Sequence, residues 1–186
     1  MALKDFEIHD PWILLERVKA ILKEGEENKW EGNTREAMNL LIWISELLTE
    51  EDKSKPKFAE YKKELRDLFN LPVTKKSFHH YVIWCDTYVG RGRMEGYERA
   101  CVYRSTLQIL NDHFVPWEEI NLPHLVEDME LIDDDIREVA EDAPPIREHE
   151  IPDWVPDSHW WWRAPKKQDM SEAERWYRRH YEELEP

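Results

Sequence analysis

The fold class depends on residues 81–89, which read Tyr-Val-Ile-Trp-Cys-Asp-Thr-Tyr-Val. β-Branched and aromatic residues favour strands, so this run could form one. The chain has no second run of this kind for it to pair with, and a lone strand cannot form a sheet. We therefore predict a helix from Thr74 to Val89, capped by Thr74 or Ser77 and buried on most sides, in an all-α protein.

Four more segments of the first 115 residues carry apolar side chains at helical spacing. Asp10 can cap a helix whose first position is Pro11, and Asn33 with Glu36 has the form of a capping box. We expect these helices at about 11–24, at 33–48, from about Phe58 to the turn at Pro72, and at 95–112. Together with the helix above, they would form a compact N-terminal bundle of about five helices over residues 1–115.

The charge of the chain is large and unevenly distributed. A length of 186 residues suits one ordinary domain with a tail. The formal net charge of −15 argues against a general binder of nucleic acids or of anionic membranes, because both need positive surface. Residues 118–157 hold two basic and fifteen acidic side chains, whereas residues 1–115 are nearly neutral. This shift coincides with a series of prolines that starts at Pro116. We therefore expect a domain boundary there, with residues 116–186 forming an acidic arm.

The acidic arm contains amphipathic segments and a segment without helical period. Apolar residues recur every three or four positions after Pro123, which predicts a helix near 124–141 with its acids on the opposite side. Residues 142–170 lack this period and are rich in proline, so we expect them to be extended. Ser171 with Glu174 has the form of a capping box, which predicts a final helix at 171–184.

The most distinctive feature of the arm is three consecutive tryptophans at 160–162, followed by Arg163. Successive side chains of an extended segment alternate in direction, so at least one ring should be free to contact another molecule. Tryptophan and arginine are residue types that anchor protein interfaces. The predicted partner-binding residues are Trp154, Trp160, Trp161, Trp162, Arg163, Glu127, Asp128, Asp133, Asp134 and Asp135. The alternative is that Trp154, Trp160 and Trp162 fasten the arm to the helical domain while Trp161 is half exposed.

Residues 90–96 read Gly-Arg-Gly-Arg-Met-Glu-Gly and hold three of the five glycines of the chain. Glycine-rich backbone before a helix can hold a phosphate or carboxylate. Arg91, Arg93 and Arg99 could supply bidentate contacts to such an anion. The glycine spacing fits neither the dinucleotide-binding nor the Walker pattern. A turn with solvated arginines is the main interpretation, and contact with an anion or an acidic peptide is the alternative.

No motif identifies a cofactor, a metal site or a catalytic residue. Cys85 and Cys101 are the only cysteines, too few for a disulfide framework, so we expect buried, reduced thiols. The chain start lacks the pattern of a secretory signal, and no apolar run reaches the length of a membrane span. We therefore expect a cytoplasmic or nuclear location.

Three functional hypotheses follow. The first is a non-enzymatic protein-interaction or assembly factor, whose acidic Trp-rich arm binds another protein or a neighbouring copy of the chain in a homo-oligomer. A small viral or mobile-element accessory or structural protein would fit this description. The second is an acidic mimic of nucleic acid that inhibits a nuclease or a DNA-binding protein. The third is a helical metal-dependent hydrolase that uses His79, His80 and Asp86, although adjacent histidines point to different faces of a helix. Direct binding of nucleic acid is not expected.

Overall fold

A computed structural model describes residues 9–92 and 96–167 of the chain. The α-helices of these residues are α1 (Pro11–Asn28), α2 (Gly32–Leu47), α3 (Glu50–Ser54), α4 (Pro56–Phe69), α5 (Pro72–Gly90), α6 (Tyr97–Ile109) and α7 (Leu125–Asp142). A π-helical turn, Leu110–Phe114, continues α6, and single 3-10 turns lie at Trp117–Glu119, Glu148–Glu150 and Trp160–Trp162. The described residues contain no strand, so the all-α class is confirmed.

Residues 81–89 lie within α5, which is continuous from Pro72 to Gly90. Tyr81, Cys85 and Val89 are buried at intervals of four residues, the spacing of one helix face. The predicted cap at Thr74 or Ser77 is wrong, because both residues lie inside the helix. The backbone N–H of Thr74 instead donates to the Glu26 carboxylate of α1 at 2.5 Å. A side chain distant in sequence therefore satisfies a donor of the first turn.

The start of α2 also differs from the prediction. This helix begins at Gly32, and Asn33 is not its cap but a buried residue of its first turn. The Asn33 side-chain amide donates to the backbone oxygen of Ile21 in α1 at 2.6 Å. By contrast, α1 begins as expected, because the Asp10 carboxylate accepts from the N–H of Trp12 at 2.8 Å.

The chain forms two compact units, each assembled from segments distant in sequence. The first unit comprises residues 1–83 and 104–127, and the second comprises residues 84–103 and 128–186. The predicted boundary between residues 115 and 116 does not coincide with this division. That residues 1–115 form a compact N-terminal domain stays a prediction.

The first unit is a helical bundle with a core of leucine, isoleucine and phenylalanine side chains. In this unit α1 packs against α2 and α4. Phe69 of α4 and Phe78 of α5 meet edge to face with ring centroids 5.4 Å apart. Phe58 and Phe114 make a second edge contact at 6.2 Å. Such pairs stabilise a core beyond the area they bury.

The second unit contains most of the predicted arm. The helix expected near 124–141 is observed as α7, and its residues from Asp128 onward belong to this unit. Residues after α7 are not uniformly extended as predicted, because they form the two 3-10 turns Glu148–Glu150 and Trp160–Trp162. Ile151, Val155 and Trp162 of this segment are buried in the unit. The helix predicted at 171–184 lies outside the described residues.

Candidate functional site

In the second unit, α7 has a buried apolar face and an exposed acidic face. Met129, Ile132 and Ile136 are at most 3% exposed. Residues three and four apart are neighbours on a helix, and this spacing aligns a row of exposed side chains opposite the apolar ones. The row consists of Glu130, Leu131, Asp134, Glu138 and Glu141. Leu131 is 62% exposed among these carboxylates. We call this row the α7 outer face.

The acids of α7 greatly outnumber the basic groups near them. Residues 128–142 contain eight acids and a single basic residue, Arg137. Arg137 contacts Asp134 at 2.6 Å. Within the described part of the chain, Glu130, Glu138 and Glu141 form no ion pair. The α7 outer face therefore keeps a negative charge that the described residues do not neutralise.

The electrostatic effect of α7 reaches Asp86 on α5. Burial raises the pKa of Asp86 above its ordinary value, and the negative charges of Asp135 and Asp128 raise it further. Two carboxylates of α7 thus lie close enough to affect a carboxylate on another helix of the same unit.

The three tryptophans lie in one 3-10 turn. This helix has three residues per turn, so two adjacent rings can both point inward. Trp161 is 2% exposed and Trp162 is 3% exposed, whereas Trp160 is partly exposed. The expectation of alternating side chains is wrong, and so is the alternative of a half-exposed Trp161. In this conformation the side chains of Trp161 and Trp162 are buried and cannot contact a partner. The partly exposed side chain of Trp160 can.

The backbone of Trp161 fastens this turn to α6. Its carbonyl oxygen accepts hydrogen bonds from the Tyr97 hydroxyl at 2.7 Å and from the Cys101 thiol at 3.7 Å. Burial raises the pKa of both donors well above their ordinary values, so both stay protonated. The Trp161 ring stacks on the buried His159 ring at 4.6 Å. Trp161 is therefore a structural anchor of the second unit.

Trp160 lies beside the α7 outer face. The Arg137 guanidinium is 4.7 Å from the centroid of the Trp160 ring, a cation–π distance. Arg137 also bonds to Asp134, which belongs to the row. The partly exposed Trp160 ring therefore extends this surface with an aromatic group.

The other predicted partner-binding residues are scattered. Trp154 is partly exposed. Arg163 contacts Glu148 at 2.8 Å and Asp157 at 3.2 Å. Glu127 belongs to the first unit and lies 3.4 Å from His124. Their role in binding stays a prediction.

Two of the predicted anion contacts converge on Tyr88, which the sequence analysis did not single out. The Arg91 and Arg99 guanidiniums lie 5.1 Å and 5.7 Å from the centroid of the Tyr88 ring. The same ring lies 6.0 Å from Trp84 and 5.4 Å from Tyr103. The available sequence signal was the spacing of four between Trp84 and Tyr88 and between Arg99 and Tyr103. We call these five residues the Tyr88 surface.

The remaining candidates form no visible site. Arg93 lies outside the described residues. His79 is exposed, and His80 lies 2.8 Å from Glu31, which also contacts Lys76 at 2.7 Å. In the ranges 9–92 and 96–167, no group of three His, Cys, Asp or Glu side chains could hold a metal ion. No observed geometry favours the hydrolase hypothesis.

Comparisons with protein-family models, curated proteins and solved structures find no match to this chain. In the part of the chain that the structure describes, no helix is long and apolar enough to cross a membrane.

Proposed function

We propose that this chain is a non-enzymatic protein-interaction factor that binds a basic surface of another protein through the α7 outer face. The observation that carries the proposal is the row of exposed acids around Leu131, which is 62% exposed. An exposed apolar group framed by charges has the composition of a specific interface, in which apolar contact gives affinity and charge gives orientation.

The packing of α7 supports this proposal. Met129, Ile132 and Ile136 are buried on the opposite side, so the helix cannot rotate without exposing them. The row is therefore held in one arrangement before a partner arrives. A preorganised surface loses little conformational entropy on binding.

A capture experiment with the full chain tests the proposal. The immobilised chain is exposed to an extract of its source organism at about 0.05 M and at about 1 M salt, between which screening increases sharply. The test variant is Glu130→Lys/Glu138→Lys/Glu141→Lys. The control, Glu24→Lys/Glu27→Lys/Glu60→Lys, makes the same change in net charge at exposed positions of the first unit.

We expect wild type and control to retain the same proteins at low salt and the α7 variant to lose them. A protein retained in this way is then purified, and its Kd for each chain is measured by calorimetry. An α7 variant that retains the same proteins with unchanged Kd would overturn the proposal.

A second candidate is an acidic mimic of nucleic acid. The spacing of the row favours it, because side chains three and four apart on a helix lie about 5–6 Å from one another and form a regular line of negative charge. Adding duplex DNA to the purified complex separates the two candidates. A mimic occupies the nucleic-acid groove of its partner, so DNA displaces it. An ordinary interaction factor stays bound.

A further inference from the structure

We propose that Trp160 and Asp134 form a binding site for the guanidinium group of an arginine side chain of the partner protein, and that Arg137 of the same chain occupies this site until the partner binds. The inference rests on the proposed function, because it takes the α7 outer face to be the surface that meets the partner. It adds the type of side chain that the partner supplies and a competitor within the chain. We call Trp160 and Asp134 the guanidinium site.

The position of Arg137 defines the chemistry of the guanidinium site. The guanidinium carbon of Arg137 lies 4.7 Å from the centroid of the Trp160 ring, and its Nη1 donates to Oδ1 of Asp134 at 2.6 Å. An aromatic face and a carboxylate are two groups that bind a planar guanidinium well. A lysine ammonium has no plane to stack and no fork of donors, so it makes poorer use of both groups.

Arg137 leaves part of the site unused. It reaches Asp134 through one hydrogen bond, and within residues 9–92 and 96–167 this carboxylate has no other ion pair or hydrogen bond. A carboxylate can accept two parallel hydrogen bonds from one guanidinium. An arginine of another protein can approach both oxygens, whereas Arg137 is attached three residues away on the same helix. The partner's arginine can therefore make a hydrogen bond that Arg137 does not make.

Displacement of Arg137 costs little. Its side chain is 57% exposed and that of Asp134 is 73% exposed, and exposed ion pairs contribute little to stability. Glu141 lies four residues after Arg137, and it forms no ion pair in the described part of the chain. Residues four apart are neighbours on a helix, so Arg137 can move from Asp134 to Glu141 and keep an ionic partner.

The Trp160 ring is held in place for this role. It meets Trp161 edge to face, with ring centroids 5.8 Å apart and an interplanar angle of 78°. Trp161 is 2% exposed, and its carbonyl oxygen accepts from the Tyr97 hydroxyl at 2.7 Å. A buried anchor thus presents one partly exposed ring at the surface. This preorganisation reduces the entropy that is lost on binding.

Two peptides of equal charge test the guanidinium site. Hexaarginine and hexalysine are both attracted to the acidic row, but only hexaarginine carries guanidiniums. The Kd of each peptide for the full chain is measured by calorimetry at low salt. The readout is the ratio of the two Kd values, because a change in net charge alone affects both peptides alike.

Five variants of the full chain are compared with wild type. Trp160→Ala and Asp134→Asn each remove one half of the site, and Arg137→Gln removes the competitor. Glu130→Gln is the matched control for Asp134→Asn, because it removes one negative charge from the same exposed row. Arg35→Gln is the matched control for Arg137→Gln, because it removes one positive charge at an exposed position of the first unit.

We expect wild type to bind hexaarginine about 10-fold more tightly than hexalysine, the factor for a cation–π contact combined with a bidentate ion pair. Trp160→Ala and Asp134→Asn should each reduce this ratio to about 2-fold or less. Arg137→Gln should raise it by about 3-fold, because the site no longer has an internal occupant. Both control variants should keep the wild-type ratio. Asp134 is exposed, so Asp134→Asn decides the test if Trp160→Ala proves to be unfolded.

NMR spectra locate the bound peptide. The indole N–H signal of Trp160 is assigned by its absence from the spectrum of Trp160→Phe. We expect hexaarginine to shift this signal more than hexalysine does when both peptides are saturating. The indole signal of Trp30, which is 62% exposed in the first unit, should not shift with either peptide.

Two outcomes would exclude the guanidinium site. One is a wild-type chain that binds both peptides with the same Kd, or neither of them up to about 1 mM. The other is a preference for hexaarginine that Trp160→Ala and Asp134→Asn leave unchanged.

The capture experiment separates this failure from that of the proposed function. A chain that retains its partner through the α7 outer face without preferring hexaarginine keeps the proposed function and loses only the guanidinium site. A chain that prefers hexaarginine, but whose Glu130→Lys/Glu138→Lys/Glu141→Lys variant retains the same proteins, keeps the guanidinium site and loses the proposed function.

Discussion

Replacing Trp161 with alanine tests whether the Trp160–Trp162 turn is a part of the core. Trp161 is 2% exposed and stacks on His159 at 4.6 Å. A buried tryptophan removes about 200 Å² from water, and about 25 cal/mol per Å² converts this area to about 5 kcal/mol. Substitutions of buried large aromatic residues by alanine cost about 3–5 kcal/mol. We expect Trp161→Ala to lower the free energy of unfolding by about 3–5 kcal/mol.

Trp160→Ala is the matched control. Trp160 is partly exposed, and its cation–π contact with Arg137 contributes about 1 kcal/mol at such a site. The assay is urea unfolding followed by circular dichroism, with equal denaturant slopes for all variants as the condition for comparing them. If Trp161→Ala lowers the free energy of unfolding by less than about 1 kcal/mol, the average for any substitution, Trp161 is not a part of the core. An equal loss of stability in both variants would lead to the same conclusion.

Three further predictions concern the supports of the two units. Tyr97→Phe removes the hydroxyl that donates to the Trp161 carbonyl. It should lower the free energy of unfolding, measured in urea, by about 1–2 kcal/mol. An unchanged free energy of unfolding would show that this hydrogen bond does not stabilise the Trp160–Trp162 turn. Gly96→Ala should lower the Tm, because a Cβ there would collide with a backbone carbonyl of α5. A Cβ at Gly90, the last residue of α5, meets nothing within 4 Å, so Gly90→Ala should not lower the Tm. Hydrogen bonds from a neighbouring lysine and threonine hold the pKa of Asp52 well below its ordinary value. Its stabilising effect is therefore present above about pH 4 and lost as the pH falls through the lowered pKa. The Tm difference between wild type and Asp52→Asn should shrink in acid, and a difference that grows there would contradict this sign.

Helices with a continuous apolar stripe could be predicted from the sequence. The helix expected near 124–141 is α7, Leu125–Asp142, because burial of one face decides both the spacing and the extent of such a helix. The helix predicted from Thr74 to Val89 is α5, because residues 81–89 have no second strand-like run with which to pair. The short helix α3 has no buried residue, so no stripe predicts it. Its signal was the capping box formed by Thr49 and Asp52, which the sequence contained.

Details set by contacts distant in sequence could not be predicted. The inward direction of Trp161 depends on the Tyr97 hydroxyl, which is 64 residues away. The Tyr88 surface likewise needs α6 to bring Arg99 and Tyr103 to the ring of α5. Local patterns identify the chemical type of such residues, whereas tertiary packing decides which of them remain exposed.

The acids of α7 destabilise the helix that carries them. Glu130, Asp134 and Glu138 follow at intervals of four, and like charges at this spacing each cost about 0.2–0.5 kcal/mol. The last turn contains no basic residue, although the helix dipole favours cations there.

Glu138→Lys replaces repulsion by attraction to Asp134 and Asp142, so it should raise the free energy of unfolding by about 1 kcal/mol. The same charge reversal should weaken partner binding through the α7 outer face. Stability and binding that move in opposite directions characterise residues retained for function rather than for folding. A Glu138→Lys variant that loses both would show that the acidic row is structural, which would remove the basis of the proposed interface.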